Sequence, residues 1–543
     1  MKDQPSVVIF GLDGATFDLI DPLIDVGAMP NLSSLLNETA SGTLRSTTPP
    51  LTGPAWTSFA TGVHPGKHGI FDFTKFEGSL TEVSAATSSD ISVETFYERI
   101  VDAGGTPILV NLPMSYPPQV DSPVLTSLLT QGDETVFPEE YRELEDEFGE
   151  FRVSPKGDAE DVGGSLPYVE DLIQVEETRF DWSRRLFQTE DWDLFFHLVS
   201  ATDWIQHELY DELVSDLGTG DLSPAAERAV EGYEMFDEQI GWFREQLSED
   251  DYFILLSDHG FRYYHSMFYL NGWLKKNGYL SVDEGGDASV APTKKSQEKQ
   301  QKQDVSRQID LSRIAKTVSR YPKIFNTADW LYKRVSGYLP VDADLTYGDI
   351  DPANSKSKGW GGIYINDTDR FEDGIVSPED RPEVAREIAE GLKSVVDPKT
   401  GEKVFDEVRL SKKVYDGPEA DKAPDVVVTS TTHQVDNVMS DVIFRRQEHN
   451  GHAPEGIYSI DGPGVVESGG TADIVDIAPT VLALLDIGVP SNIDGSVLDD
   501  LFRESLQVDH VPPTTPERRG EPGESRDDSD VKERLSDLGY LDG

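Results

Sequence analysis

Three short apolar runs, each followed at once by polar side chains, restrict the folds that this chain can adopt. They read SVVIF, DLFFHLV and YFILL, at residues 6–10, 193–199 and 252–256. Runs of this length, rich in β-branched and aromatic residues, are typical of strands buried on both faces of a parallel sheet. Helix-compatible stretches lie between and after them, at residues 172–187, 225–247 and 382–396. The alternation predicts an α/β fold with a doubly wound, mostly parallel sheet flanked by helices.

Acidic residues and histidines cluster just after these runs. The run at 6–10 leads into Gly-Leu-Asp-Gly with Asp13, the second into a segment with Asp203 and His207, and the third into Asp258 and His259. Because ligands of open α/β sheets bind beyond the carboxyl ends of strands, we expect these segments to converge on one site. Asp203 and His207 are four residues apart, a spacing that puts both on one helix face and suits a shared metal ion. A loop can direct the adjacent Asp258 and His259 inward together.

A further candidate ligand lies late in the chain, in the segment EHNGHAPEGIYSI. Here His452 follows a glycine and precedes an apparent strand, and His449 is an alternative three residues earlier. Mixed carboxylate and imidazole ligands suit zinc, manganese or iron rather than calcium. Six or seven such ligands are enough for two sites, and two metals about 4 Å apart can clamp the oxygens of an in-line phosphoryl displacement. A hydroxyl nucleophile would fit between them, since a metal lowers its pKa.

The nucleophile is expected within residues 48–73, TPPLTGPAWTSFATGVHPGKHGIFDF. This stretch resembles the alkaline phosphatase superfamily, specifically its type I phosphodiesterase/nucleotide pyrophosphatase branch and related predicted phosphohydrolase/phosphomutase proteins. That branch has a Thr or Ser two residues before a Pro and some nine before Thr-Gly, with Pro and His-Gly beyond. The matching residues are Thr52, Pro54, Thr61-Gly62, Pro65 and His68-Gly69. The resemblance identifies Thr52 as the nucleophile, and the nearby hydroxyls that could replace it are Thr47, Thr48, Thr57 and Ser58.

The same resemblance assigns the metal ligands by their order along the chain. The residues that match the metal site holding the nucleophile are Asp13, Thr52, Asp258 and His259. Those that match the other site are Asp203, His207 and His452. It implies two divalent metal ions as cofactors, zinc first and manganese as the alternative. The resemblance covers about 1–75, 190–280 and 350–500.

The implied reaction is hydrolysis of phosphodiester or pyrophosphate bonds through a phosphothreonine intermediate at Thr52. Threonine at this position resembles the diesterase and phosphonoacetate-hydrolase-like members more than the alkaline phosphatases themselves or the cofactor-independent phosphoglycerate mutases. Phosphomonoesterase or phosphomutase activity is the alternative, because residues 75–165, the expected substrate-selecting region, match no motif. A non-catalytic binding or regulatory module is a third reading, which the complete ligand set disfavours. A sulfatase is disfavoured, because arylsulfatases need a formylglycine made from Cys or Ser in a C/S-x-P-x-R motif, and the chain has no cysteine and no such serine motif.

The charge of the chain limits its partners and suggests its environment. Asp and Glu number 101 against 47 Lys and Arg, a formal net charge of −54. Proteins that hold nucleic acid concentrate Lys and Arg on one face, so we predict no specific nucleic-acid binding. The resemblance implies a small-molecule phosphoester as the substrate. Acidity spread this evenly is what a cytosol with molar salt requires, since salt screens the repulsion and carboxylates keep the protein soluble. We therefore predict an enzyme of a halophile.

We predict that the chain has one core interrupted by insertions. Residues 1–282 are expected to form its first part, with a cap over the site at about 75–165, and residues 346–506 its second part. A partly disordered linker is predicted at 283–345 and an acidic, poorly ordered tail at 507–543. The sequence contains no run of about 18 apolar residues, so we predict no transmembrane segment. Without a visible export signal the cytoplasm is the expected location. The sequence does not indicate an oligomeric state.

Overall fold

The computed structural model describes residues 5–282, 350–519 and 528–538, so the predicted linker at 283–345 lies outside the described residues. A nine-stranded sheet forms the centre. Its strands in chain order are β1 Val7–Leu12, β2 Ala40–Arg45, β3 Pro107–Val110, β4 Val124–Leu125, β5 Val136–Phe137, β6 Leu194–Val199, β7 Tyr252–Leu256, β8 Glu455–Asp461 and β9 Thr471–Asp473.

The order of these strands across the sheet is β9, β2, β8, β7, β1, β6, β3, β4, β5. Strand β8 is antiparallel to both of its neighbours, and β5 is antiparallel to β4. The other neighbouring pairs are parallel. Since β1 lies between β7 and β6, the three apolar runs of the sequence are adjacent strands. The predicted mostly parallel α/β sheet is confirmed.

Helices cover both faces of this sheet. The helices of the described residues, in chain order, are α1 Phe17–Asp25, α2 Pro30–Glu38, α3 Thr52–Thr61, α4 Pro65–His68, α5 Phe96–Asp102, α6 Glu145–Phe148, α7 Ala159–Val162, α8 Ser165–Thr189, α9 Ala201–Asp216, α10 Pro224–Gln246, α11 Leu270–Lys276, α12 Arg381–Lys393, α13 Ile477–Leu484 and α14 Ser529–Asp537. Short 3-10 helices lie at Ser88–Asp90, Glu139–Leu144, Pro352–Asn354, Ser411–Lys413, Ala420–Lys422, Ile474–Asp476 and Asp499–Leu501.

The alternation of side chains along β1 shows how the two faces are filled. Val8 and Phe10 belong to one apolar cluster, which α1, α2, α8, α9 and α10 cover, whereas Val7 and Ile9 belong to a second, under α3, α5 and α13. Successive side chains of a strand point to opposite faces, so a strand buried on both sides must be apolar throughout. Every residue of β1 is buried, as the uninterrupted run VVIFGL predicts.

A smaller unit with its own apolar cluster lies beside the main sheet. Its four-stranded sheet contains Ser357–Gly359, Ile363–Ile365, Val426–Thr429 and Glu407–Leu410, and its three-stranded sheet contains His433–Asp436, Ser266–Tyr269 and Phe444–Arg445. Helices α11 and α12 pack against these strands. The remaining strand pairs are Gly260–Tyr264 with His449–Ala453, Thr74–Phe76 with Val83–Ala85, and Val489–Pro490 with His510–Val511.

Two of the predicted segments contribute to the packed structure. Residues 75–165 supply strands β3, β4 and β5 of the main sheet as well as the irregular structure around them. Within 507–543, α14 packs through Val531 and Leu535, both fully buried, against residues such as Ile70 and Phe73. The domain boundaries and the role of 75–165 as a cap stay predictions. Among the described helices, none combines the length and the apolar character that a membrane span requires.

Candidate functional site

The carboxyl ends of the three central strands carry the predicted acidic residues. Asp13 follows β1, Asp203 lies in the first turn of α9 just after β6, and Asp258 follows β7. These strands are neighbours in the order β7, β1, β6 and run parallel, so their ends open at the same edge of the sheet. The site is therefore at the edge where open α/β sheets bind ligands.

Asp13, Asp258 and His259 form the first ligand group. One ligand atom from each lies within 4.8 Å of the others. His259 Nε2 is 3.7 Å from Asp13 Oδ1 and 3.4 Å from Asp258 Oδ2. The same nitrogen lies 3.1 Å from Oγ1 of Thr52, the first residue of α3. All four side chains are buried, so the predicted nucleophile and its predicted ligands meet in a site shielded from bulk water.

Asp203, His207 and His452 form the second ligand group. His207 Nε2 is 3.5 Å from Asp203 Oδ2, across one turn of α9, and His452 Nε2 is 3.4 Å from Asp203 Oδ1. His452 lies on the strand His449–Ala453, where it is paired with Phe261 of the strand that follows His259. That pairing brings His452, rather than the alternative His449, into the group.

The two groups are in direct contact. The imidazole rings of His259 and His452 stack with their centroids 3.8 Å apart. Gly14, with φ of +66°, lies between the two groups, where there is no room for a side chain. A Cβ there would lie 2.9 Å from Asp203 Oδ1 and 3.3 Å from His259 Cε1. Only glycine combines this left-handed backbone with so close an approach. The sequence reasoning assigned no role to Gly14, although its place after Asp13 in Gly-Leu-Asp-Gly was the available signal.

The acidic residues are buried with few compensating charges. Among the described residues, His259 carries the only basic group within 4 Å of the Asp13 or Asp258 carboxylate. Burial raises the pKa of Asp258 to about 7, and burial together with the charges of Asp258 and Asp203 raises the pKa of Asp13 well above its usual range. Asp13 Oδ1 and Asp258 Oδ2 are buried without a hydrogen-bond partner. Because uncompensated buried carboxylates are costly, this donor set fits a bound divalent cation.

Hydrogen bonds orient two of the histidines for metal binding. His259 Nδ1 donates to the carbonyl of Gly260 at 3.0 Å, and His452 Nδ1 donates to the carbonyl of Pro50 at 3.1 Å. These bonds leave Nε2 of each ring for the ligand group, as in most protein metal sites. Burial lowers the pKa of His259 to about 3 and that of His207 to about 4, so both favour the neutral state. For His452, burial is outweighed by the charge of Asp203, which raises the pKa.

Other hydroxyls near Thr52 are engaged elsewhere. Thr47 Oγ1 donates to the carbonyl of Pro49 at 2.8 Å, and Thr57 Oγ1 donates to that of Gly53 at 2.7 Å. Ser58 Oγ lies 3.0 Å from Nε2 of the buried His68. This contact holds α3 in place, and the Ser58 hydroxyl does not reach the ligand groups. Thr52 is the hydroxyl whose oxygen the structure brings to a predicted ligand.

Helix α9 is also tied to the loop after β1, a link that the sequence reasoning missed. Thr202 Oγ1 donates to the carbonyl of Asp13 at 2.7 Å, and Gln206 Nε2 donates to the carbonyl of Gly14 at 2.9 Å. Both side chains are fully buried. These bonds hold the residues of the second group at a fixed distance from Asp13. In the sequence, Thr202 and Gln206 are ordinary helical positions whose partners lie almost two hundred residues earlier.

The fold and the two ligand groups define an α/β protein in which two clusters of residues that commonly bind metal ions lie beside a buried threonine. The sequence profile described as type I phosphodiesterase / nucleotide pyrophosphatase matches residues 7–348, more than half of the chain. The chain belongs to this family, whose members are hydrolases of phosphoric ester bonds. None of the curated proteins matches the chain by sequence.

Solved structures share the fold at low sequence identity. The phosphonoacetate hydrolase of Sinorhizobium meliloti 1021, in complex with phosphonoacetate, is similar with a TM-score of 0.52 and 16% identity over 88% of this chain and 94% of that one. Human ectonucleotide pyrophosphatase / phosphodiesterase 5 has a TM-score of 0.50 and 12% identity over 92% of this chain and 100% of that chain. The inactive murine form in complex with AMP gives the same values. At these identities the likeness establishes the alkaline phosphatase-like fold alone.

Proposed function

We propose that the chain is a two-metal phosphohydrolase that cleaves phosphodiester or pyrophosphate bonds through a phosphothreonine intermediate at Thr52. The observation that carries the proposal is the contact of two ligand groups beside one hydroxyl. Oγ1 of Thr52 is 3.1 Å from Nε2 of His259, and the ring of His259 stacks on that of His452 in the other group. The family to which the chain belongs supports the reaction class.

Each ligand group has the composition of a divalent metal site. Asp13, Asp258 and His259, with Thr52, would hold one ion. Asp203, His207 and His452 would hold the other. Zinc is proposed because each group mixes carboxylate and imidazole, and manganese is the alternative. When bound, the ions supply positive charge that stabilises the attacking and leaving oxygens of an in-line displacement.

The chemistry of the chain itself centres on Thr52. Its hydroxyl gives up a proton to water that enters with the substrate, Oγ1 bonds to phosphorus, and the bond from phosphorus to the leaving group breaks. The leaving oxygen then takes a proton from water. A water molecule then attacks the phosphothreonine, which releases the phosphorylated product and restores the hydroxyl. The backbone amides of Thr52 and Gly53 lie at the first turn of α3, where helical N–H groups lack partners, and would hold a non-bridging oxygen.

The wider setting of the enzyme is also a proposal. The net charge of −54 supports work in the salt-rich cytoplasm of a halophile, on a small phosphoester rather than on nucleic acid. In this proposal residues 75–165 help select the substrate from the side of the hairpin Thr74–Phe76 and Val83–Ala85. Phe73, which precedes that hairpin, supports this placement, because its ring is the neighbour that a Cβ on Gly53 would meet at 3.0 Å.

Parallel hydrolysis of bis-p-nitrophenyl phosphate and p-nitrophenyl phosphate tests the proposal. The assay is run in high salt with added zinc or manganese, on the wild type, Thr52→Ala and Thr57→Ala. Thr57 is the matched control, because it is a buried threonine of the same helix whose hydroxyl binds only the Gly53 carbonyl among the described residues.

We expect diester cleavage in the wild type and in Thr57→Ala, with loss of about a thousandfold or more in Thr52→Ala, as for other removed nucleophiles. Preference for the monoester would replace the proposal by a phosphatase or mutase. Activity that survives in Thr52→Ala would refute Thr52 as the nucleophile.

A further inference from the structure

A buried carboxylate of α8 lies at the beginning of the helix that carries Asp203 and His207. Glu176 is fully buried, and its Oε1 accepts hydrogen bonds from the backbone N–H groups of Ser200 at 3.0 Å and Ala201 at 3.1 Å. The first N–H groups of a helix have no partner within the helix, and an anion there also interacts favourably with the helix dipole. Glu176 thus caps α9 from a neighbouring helix.

Arg179 completes this contact. Its Nη1 is 2.9 Å from Glu176 Oε1, and neither side chain is exposed to solvent. Its Nε donates to the carbonyl of Arg152 at 3.1 Å, and its guanidinium lies 6.0 Å from the ring centroid of Trp204. Trp204 directly follows Asp203. Glu176 therefore contacts the first amides of α9, and Arg179 contacts the same helix one turn later.

The turn between β6 and α9 is held from its other side as well. Asn111 Nδ2 donates to the carbonyl of Leu198 at 3.0 Å and to Oγ of Ser200 at 2.8 Å, and Asn111 is fully buried. Asp203 lies three residues beyond Ser200. A small rotation of the first turn of α9 would therefore move the Asp203 carboxylate relative to His452, which comes from a different part of the chain.

We propose that Glu176 is a positioning residue for the second ligand group: by binding the amides of Ser200 and Ala201 it sets the orientation of α9. This inference rests on the proposed function, in which Asp203, His207 and His452 hold a metal ion. A buried ion pair used only for stability could be replaced by apolar side chains at little or no cost. A positioning role instead requires the oxygen that accepts the two N–H groups.

Two double variants separate the acceptor oxygen from the buried charge. Glu176→Met with Arg179→Met removes both charges and the acceptor, whereas Glu176→Gln with Arg179→Met removes both charges and keeps an acceptor oxygen. Neither leaves Arg179 as an uncompensated buried charge. Asp171→Asn is the matched control on the same helix, because Asp171 is a buried carboxylate paired with Arg152 rather than with α9.

The measurement is calorimetric titration of each metal-free protein with zinc, with folding checked by circular dichroism. His207→Ala and Asp13→Asn identify which binding step belongs to which ligand group. In Glu176→Met/Arg179→Met we expect zinc affinity of the second group to fall about tenfold, as for other groups that orient metal ligands. The first group should keep its affinity. Glu176→Gln/Arg179→Met and Asp171→Asn should bind zinc at the second group as the wild type does.

Wild-type affinity at the second group in Glu176→Met/Arg179→Met would overturn this inference alone. An equal loss in Asp171→Asn or in Glu176→Gln/Arg179→Met would also overturn it, since the effect would then be one of general stability. A wild-type chain that binds no zinc or manganese at either group would instead overturn the proposed function and this inference with it.

Discussion

The Nε2 atoms of His207 and His452 lie 3.1 Å apart, although 245 positions separate the two residues along the chain. His207 is supplied by α9 and His452 by a strand that pairs with Gly260–Tyr264. The second ligand group is thus completed by a contact between distant parts of the chain, and each part can be tested separately.

If the chain binds two metal ions as proposed, removal of His452 should cost it one of them. We expect His452→Ala to bind zinc at the first group only and to lose most of its hydrolytic activity, because the second group retains two ligands. His449→Ala is the control, since His449 lies on the same strand and outside the group. Metal content after dialysis, measured by atomic absorption, distinguishes the two. Equal metal content in both variants would contradict the assignment of His452.

Gly14→Ala should disturb both ligand groups more than its backbone strain alone explains. A Cβ at Gly14 would lie 2.9 Å from Asp203 Oδ1, whereas Gly104, with φ of +87°, has nothing within 4 Å of the same position. Each alanine variant should lose about 1 kcal/mol of stability from the left-handed backbone. Only Gly14→Ala should also lose zinc affinity, about tenfold or more. Urea unfolding and zinc titration of the two variants test this, and equal zinc affinity would refute the contact.

Asp171 should contribute stability that depends on pH. Burial raises the pKa of its carboxyl, but hydrogen bonds from Arg152 and Lys156 outweigh burial and lower the pKa to about 2. Since the unfolded value is about 3.9, the contribution is fully present above about pH 4 and is lost as pH falls towards 2. We expect Asp171→Asn to lower the free energy of unfolding by about 1 kcal/mol at neutral pH, because solvent screens the exposed Lys156, and by less near pH 3. Urea unfolding at both pH values measures this, and a constant difference would argue against the pairing.

The fold should require salt. With a net charge of −54, repulsion between carboxylates is screened only weakly at about 0.1 M salt, where the Debye length is about 10 Å, and strongly at about 3 M. We expect the thermal unfolding temperature to fall steeply between about 3 M and about 0.1 M potassium chloride. The same unfolding temperature at both concentrations would remove the argument for a halophilic source.

The parts of the site that follow strands were accessible to sequence reasoning. The apolar runs of β1, β6 and β7 are long and apolar enough to be predicted as strands from the sequence. Because these strands are parallel neighbours, the polar residues that follow them lie together at one edge of the sheet. Asp13, Asp203 and Asp258 were found in this way. The resemblance supplied Thr52 and the grouping of the ligands.

The supporting residues were not accessible, because their roles depend on tertiary contacts. Glu176 lies four residues after Leu172 and four before Phe180, on the apolar face of the helix, but the sequence does not show which N–H groups its carboxylate binds. Its burial follows from the way α8 packs against the beginning of α9. The pairing of strands within residues 350–450 into sheets of their own could not be read from the sequence, since short apolar runs such as IYI and VVVT do not show which strands they pair with.

The central position of β8 has a consequence for how the enzyme is made. This strand, Glu455–Asp461, lies between β2 and β7, and His452 precedes it by three residues. A nascent chain on the ribosome would complete β1, β2, β6 and β7 long before β8 emerges, and would leave unpaired strand edges in the middle of the sheet. Catalytic competence would thus appear only after β8 has been synthesised. Products of premature termination before β8 would be inert and would expose edges that invite aggregation and proteolysis.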